Sequence, residues 1–498
     1  MFKKIKGNKI ESFFLFLIIT FGFFLRLIPA MKLEIWFDEA YTFFAREQTF
    51  FGLINFEPVH PPLFYWLIKC WSQLKTTVFF LRIPSLIFSI FNLIVIFLIA
   101  KTIKFNKYFP LLATFFFSFS VLNIEESFQI RMYALVLFLM LLSFWSYLKI
   151  LFGQKEPGFY LFIFCLTNFL GILSDYAFIW YFLSLIVATF IFCLWQKRSI
   201  FGKQIIDLKY GLLTSSLLMS LWLGPFISNF QRGLRIMYKR PLFTNEIKGL
   251  FISNQIEFFR IEYVYFFILL FTSIVFGFFI IWMSFKEKKV KKFLFWLLIN
   301  LFFYVPIFSA FLMKTFLNQT ILPSRNLIIG TLFAIFSLSG LISYLFIKKN
   351  NGLKFLGLIT LITIMSITFF SLKNTYLYRE KTFFGAPSYK DAVEFIQSNT
   401  SFKKDTFVFL PSWEYLVFNY YFYGYGQNNF SFRDYEKKLY ENVLSKEREK
   451  RNYLFVNFDF LIIKEGKNQE LVNFLSNCLD YNHGLIFYKK AHFLRCSQ

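Results

Sequence analysis

Histidine, cysteine and negative charge are all scarce in this chain. It has three histidines and five cysteines in 498 residues. The cysteines (Cys70, Cys165, Cys193, Cys478 and Cys496) show none of the close spacings of a thiolate metal site. No Gly-rich phosphate loop is present, which argues against a nucleotide as the source of energy or of a transferred group. There is no internal repeat and no heptad pattern. Asp and Glu number 29 against 54 Lys and Arg, for a net charge of +25. An excess of that size can signal nucleic acid. Here the basic residues fall in short clusters between apolar runs, which is the pattern of membrane topology, so no nucleic-acid partner is expected.

Apolar sequence is what the chain has in abundance. Hydrophobic residues make up 57% of it and the mean hydropathy is +0.53, beyond the usual share of a soluble protein. The 80 phenylalanines read as a compositional bias in lipid-facing helices and carry no functional message. A bilayer needs about 20 apolar residues per helix. Eleven such stretches are expected, near 11–30, 79–100, 108–123, 132–151, 159–174, 177–195, 211–229, 262–284, 293–313, 326–347 and 355–371. The first, preceded by MFKKIKGNK, reads as a retained signal anchor.

The connectors alternate in character. Lys3–Lys9, Lys101–Lys107, Gln154–Gly158, Lys197–Lys209, Lys286–Lys292 and Lys348–Lys354 are mostly short and lysine-rich, which assigns them to the cytoplasm. The loops 31–78, 124–131, 230–261 and 314–325 carry acidic and mixed charge and belong outside. The N-terminus is then cytoplasmic, and residues 372–498 lie on the far side of what is read as a cell membrane, the inner one of a bacterium.

That tail has eighteen Lys and Arg, fourteen Asp and Glu, and no spanning run. It reads as a small extracytoplasmic α/β domain following a transmembrane domain of residues 1–371. Expected elements are helices at Ser388–Ser398, Ser412–Tyr421 and Gln469–Leu479 and strands at Thr406–Leu410 and Asp459–Lys464. A hairpin of Gly484–Lys489 with His492–Cys496 closes it. Cys478 and Cys496 would sit where a disulfide is permitted, as a bridge or as two free thiols.

The first outer loop concentrates chemistry. Asp38 and Glu39 follow the first span directly, and Glu47 and Glu57 come later in the loop. Carboxylates at the edge of a membrane span are costly unless solvated or used. Adjacent helical residues point about 100° apart, so Asp38 and Glu39 cannot share one role. Asp38 is expected either as general base toward an acceptor, or as the N-cap of a helix over Glu39–Phe51, and the two are compatible. His60 precedes Pro61-Pro62, which should open a surface helix over Leu63–Leu74. Glu57 and His60 are candidate metal ligands, and His60 is equally a candidate for phosphate contact or packing.

Later outer segments add Glu125, Glu126, Gln129, Arg131 and Tyr133, then Arg232, Arg235, Lys239, Arg240, Lys248 and Arg260. Basic residues on the face that topology does not favour suggest an anionic partner, a lipid phosphate or the outer headgroups. Arg82 and Arg325 each open a span, where an arginine can snorkel or bind phosphate.

In order along the chain, Asp38-Glu39-Ala40, His60-Pro61-Pro62-Leu63, Leu81-Arg82-Ile83-Pro84-Ser85, Arg131-Met132-Tyr133-Ala134-Leu135 and Pro323-Ser324-Arg325 form a recognisable series. With it the chain resembles the membrane glycosyltransferases of the C-type fold. The likeness is to the bacterial branch related to protein O-mannosyltransferases and the aminoarabinose transferase of lipid A, and it covers the whole chain. It implies transfer of a sugar from a polyprenyl-phosphate donor to a glycan, lipid or protein acceptor on the non-cytoplasmic face. It also implies Asp38 as the catalytic carboxylate with Glu39 beside it. His60, Arg82, Glu125, Arg131, Tyr133, Asp175, Lys239, Arg240 and Arg325 become substrate-binding candidates. Gln129 stands where many relatives have Glu, and Ser174-Asp175-Tyr176 where relatives often have His. Asp175 thus joins Glu57 and His60 as a candidate ligand, and a divalent metal stays open as cofactor. A transporter of lipid-linked sugars and an inactive structural homologue are the competing readings.

Overall fold

The computed structural model describes residues 9–35, 37–58, 60–153, 156–195, 202–237, 295–302, 304–305, 331–378, 406–410, 420, 453–457, 479–480 and 492–496. Helices run in chain order: α1 Lys9–Lys32, α2 Phe37–Ala45, α3 Leu63–Trp71, α4 Val78–Ile103, α5 Phe109–Ser118, α6 Val121–Glu125, α7 Tyr133–Leu151, α8 Pro157–Ile172, α9 Phe178–Trp195, α10 Gly202–Ser220 and α11 Leu223–Met237. Two more follow, α12 Thr331–Ile347 and α13 Asn351–Tyr378, with a short helical piece at 295–302 between α11 and α12. The protein is thus a polytopic helical membrane protein. By length and apolarity α1, α4 and α7 can each cross a bilayer, and α10 with α11 form a pair bent by 61° that passes the same test together.

Two expected spans are broken. The third splits at Phe119–Ser120, where the Ser120 side chain accepts from the Asn123 amide and starts α6 as a separate short helix. The seventh breaks at Leu221–Trp222. Both breaks pass unnoticed in an apolarity profile, because the residues at them are themselves apolar or small. The fifth and sixth spans are separate helices, α8 and α9. The eighth, 262–284, lies outside the described residues.

The contacts divide the chain into two units. One comprises residues 1–30, 45–74 and 79–375, the other 31–44, 75–78 and 376–498. In the first, α7 packs chiefly on α8 and α10. Lipid tails give apolar side chains no reason to leave them, so polar ties fix such helices. Ser143 Oγ donates to Asn168 Oδ1 at 2.8 Å and Asn168 Nδ2 to Ser215 Oγ at 3.1 Å, joining α7, α8 and α10. Gly171 lets α8 turn into α9, since a Cβ there would lie 2.2 Å from the Phe178 ring. Many of the phenylalanines are interior: Phe109, Phe144, Phe295, Phe302 and Phe336 form a web of ring contacts with Trp296 and Tyr181.

The second unit holds α2 and the tail. Four strands, β1 Thr406–Leu410, β2 Tyr453–Asn457, β3 Leu479–Asp480 and β4 His492–Cys496, form one sheet in the order β1-β2-β4-β3. The β1–β2 pair is parallel and the other two are antiparallel. β1 lies where the sequence puts it. Tyr453–Asn457 is a strand that the sequence reading did not expect, a short apolar run that periodicity alone cannot assign, and the expected strand Asp459–Lys464 lies outside the described residues. β4 pairs with Leu479–Asp480, the expected end of a helix. The expected helices at 388–398 and 412–421 (Tyr420 apart), the run 484–489 and Cys478 lie outside the described residues.

Candidate active site

The two ends of the loop after α1 belong to different units. α2 begins at Phe37, so Asp38 stands in its first turn and not at its cap, and the helix ends at Ala45, short of Phe51. A carboxylate in the first turn still meets the positive end of the helix dipole. Glu39, Ala40 and Phe43 are buried on one face, Glu39 completely. Phe43 meets the Tyr420 ring at 5.1 Å, and the Tyr420 hydroxyl donates to the Thr76 carbonyl at 2.9 Å. Asp38 is half-buried, and Thr42 Oγ1 donates to its backbone carbonyl at 2.9 Å. The two adjacent carboxylates thus differ in burial: Glu39 is turned into the unit and Asp38 is the one nearer its surface.

In the other unit a row of polar side chains centres on His60. Pro62 stands at the N-cap of α3, and the Leu63 amide donates to the Leu173 carbonyl at 2.9 Å, tying this loop to the end of α8. His60, 7% exposed, places Nε2 3.9 Å from Glu57 Oε1 and Nδ1 3.6 Å from Asp175 Oδ2. Asp175, 2% exposed, is held by the Ala177 amide, which donates to Oδ1 at 2.8 Å. The Tyr65 hydroxyl donates to Glu57 Oε2. On its far side His60 meets Tyr133 edge to face at 6.4 Å, and the Arg131 guanidinium lies 6.0 Å from the Tyr133 ring centre. Five expected site residues (Glu57, His60, Arg131, Tyr133 and Asp175) thus join in one row, although 118 positions separate Glu57 from Asp175.

The row does not fit a metal ion. The two imidazole nitrogens face different acids across the ring, so no single ion could bind His60 together with both carboxylates. Among the described residues no group of three His, Cys, Asp or Glu side chains is placed to hold one.

Glu125 and Glu126 end α6 and are buried, as is Gln129. Arg82 is buried in α4 and donates from Nη1 to the Ala30 carbonyl at 3.0 Å. One arm of its guanidinium is thus held by the protein's own backbone, whereas the sequence suggested headgroups or a phosphate. Lys239, Arg240 and Arg325 lie outside the described residues. Sequence reading passed over Tyr65, Asn229 and Tyr176. Asn229 Nδ2 donates to the Ile54 carbonyl at 3.0 Å and to the Tyr176 hydroxyl at 3.1 Å, and Arg232 donates to Asn229 Oδ1. Burial pushes the Tyr176 hydroxyl up from its ordinary range, which keeps it a neutral donor and acceptor. No motif flags such residues, because a lone Tyr or Asn beside a span is ordinary.

No protein-family model matches the chain, and no curated protein matches it by sequence. Solved structures do match. ArnT from Cupriavidus metallidurans in the apo state superposes with a TM-score of 0.56 over 97% of this chain and 98% of that one, at 10% identity. The same protein bound to undecaprenyl phosphate gives 0.51 over 97% of each chain, also at 10% identity. The Archaeoglobus fulgidus oligosaccharyltransferase, in complex with Zn and sulfate, gives 0.54 at 11% identity, over 90% of this chain and 68% of that one. The fold is the one these membrane transferases share, the C-type glycosyltransferase fold, with agreement running from end to end in ArnT.

Proposed function

We propose that the chain is an integral membrane glycosyltransferase that takes a sugar from a polyprenyl-phosphate donor and delivers it on the non-cytoplasmic face. The observation that carries this reading is the end-to-end likeness of fold to ArnT, a protein solved with undecaprenyl phosphate bound. The half-buried carboxylate of Asp38, at the N-terminus of a helix that follows the first span, supports it further.

In the proposed reaction Asp38 accepts the proton of the acceptor hydroxyl or amine as that atom bonds to the anomeric carbon. The bond from the anomeric carbon to the phosphate oxygen breaks, and polyprenyl phosphate leaves with the electron pair. Arg131, with Lys239, Arg240 and Arg325, is assigned to the phosphate, whose charge suits a guanidinium. Glu39 holds the far face of α2. His60, set between Glu57 and Asp175, keeps the first loop in register with the turn after α8. The acceptor remains a lipid, glycan or protein on the outer side.

The test is incubation of purified protein with radiolabelled polyprenyl-phosphate sugars and acceptor fractions. A lipid-free glycosylated product is expected from the wild type and not from Asp38→Asn. Movement of the donor across vesicles without product would instead support a transporter of lipid-linked sugars, and neither product nor movement an inactive homologue.

A further inference from the structure

An arginine deep in an apolar helix is expensive and calls for a reason. Arg26 is such a residue, 0% exposed on α1. One nitrogen, Nη1, donates to two backbone carbonyls, Gly22 one turn back at 2.8 Å and Ser118 at the end of α5 at 2.9 Å. The second bond matters most. α5 stops at Ser118, and its last carbonyls have no amide ahead of them in the helix. A broken span inside a membrane persists only where other groups satisfy the freed backbone.

The rest of the break is tied in the same way. Ser85 Oγ donates to the Arg131 carbonyl at 3.3 Å, and Asn92 Nδ2 to the Ala134 carbonyl at 3.2 Å. α1 reaches α5 closely enough to do its part because residue 22 is glycine: a Cβ there would lie 2.2 Å from Ser118 Oγ. Beside Arg26 is a small internal cavity, lined also by Ser89, Asn92, Asn123, Glu126 and Ser127. It has room for about one water. The side-chain carbonyls of Asn92 and Asn123 are buried without a hydrogen-bond partner, which a water there would supply.

We infer that Arg26, with a water-filled node around it, is the positioning residue for the segment 119–131. It clamps the end of α5 so that the polypeptide can leave the helix, turn through α6 and present Glu125, Glu126 and Arg131. The inference goes beyond the proposed transfer reaction and holds whether or not that reaction is the right one.

The test is amide hydrogen exchange of the full-length protein in detergent, read peptide by peptide. Amides in this segment are bonded locally, Ile124 to Ser120 and Glu126 to Leu122 among them, so they report on it directly. Arg26→Leu is expected to speed exchange in 119–131 by at least about tenfold while α7 and α8 stay as protected as in the wild type. Arg26→Lys, which keeps the charge and loses the planar fork, is expected to restore protection only in part. Gly22→Ala, which leaves Arg26 in place and pushes α5 away, should loosen the same peptides. If Arg26→Leu does not fold, the lysine and Gly22→Ala variants carry the test. Unchanged exchange in 119–131, full rescue by lysine, or loosening spread evenly over the molecule would each overturn the inference. A sugar-transfer assay on the same samples keeps the two proposals apart: local loosening in a protein whose wild type transfers no sugar would uphold this one and sink the other.

Discussion

The two ends of the loop after α1 solve one problem in different ways. At 37–45 the acids ride on a helix, and their directions are fixed by helical geometry: Glu39 inward with Phe43, Asp38 toward the surface. At 57–63 the chain is not helical, and the acid and the histidine are aimed by contacts with remote segments, Tyr65 on Glu57, Asp175 on His60, and the Leu63 amide on the Leu173 carbonyl. On a helix the backbone itself fixes the direction of a carboxylate. A side chain held by several partners is better suited to holding than to reacting. The difference supports the proposal that Asp38 is the reacting group and His60 a positioning one.

The sharpest way to break that comparison is Asp38→Asn. The change is isosteric and the backbone contact from Thr42 does not involve the side chain. Transfer is expected to fall by about a hundredfold or more, the ordinary worth of a general base, with the thermal midpoint unchanged. Normal transfer by a stably inserted variant would remove Asp38 from the mechanism. The positioning end should respond in the opposite proportion. Asp175→Asn removes the acid beside His60 and leaves a buried imidazole with one charged neighbour. It is expected to lower the unfolding midpoint and to raise the KM for donor more than it lowers kcat. A stable variant with kcat alone reduced would make Asp175 a reacting group.

A smaller effect tests the support beneath that end. Gly171→Ala puts a methyl group into the space of the Phe178 ring, which is itself buried against Tyr181 at 5.0 Å. A loss of about 1–3 kcal/mol is expected from such overpacking, read as a lower unfolding midpoint, with the affinity for donor falling only as the 173–177 turn shifts.

The smallest concerns Glu47, between the two ends. Partial desolvation holds the carboxyl of this exposed residue above the ordinary value of 4.5, with Arg46 pulling the other way. An acid whose folded value is raised opposes folding once it is ionised. That opposition is absent below about pH 4.5, grows as the pH rises from there to the folded value, and is constant above it. Glu47→Gln should therefore raise the unfolding midpoint slightly at pH 7 and leave it unchanged at pH 4, and a variant less stable at pH 7 would show that the charge has a favourable partner.

Much of this was legible residue by residue. The ends of α1, α4, α7, α8 and α9 fall within a few residues of the apolar runs, because a bilayer imposes a length that composition reports directly. The start of α3 was legible from Pro61-Pro62 and β1 from its flanking Pro411. The division of Asp38 from Glu39 followed from helical angle alone. The break at Phe119–Ser120 was not legible, since Phe-Ser is as apolar and as helical as its neighbours. Neither was the burial of Arg82, which the sequence put at the edge of its span, nor that of Arg26. The helices continue past both, and nothing local reveals which face a neighbour will cover.

By itself, then, the sequence determined that this is a polytopic membrane protein with acids and a histidine in the loop after its first span. Hydrophobic length and local helical geometry are properties of short stretches. Only the tertiary structure decided that His60 lies between Glu57 and Asp175, and that Arg26 grips the end of α5. Those contacts join residues 3, 115 and 92 positions apart. The two long ones depend on how α1, α5 and α8 come together, which is settled by packing and by the need to satisfy every polar group away from water.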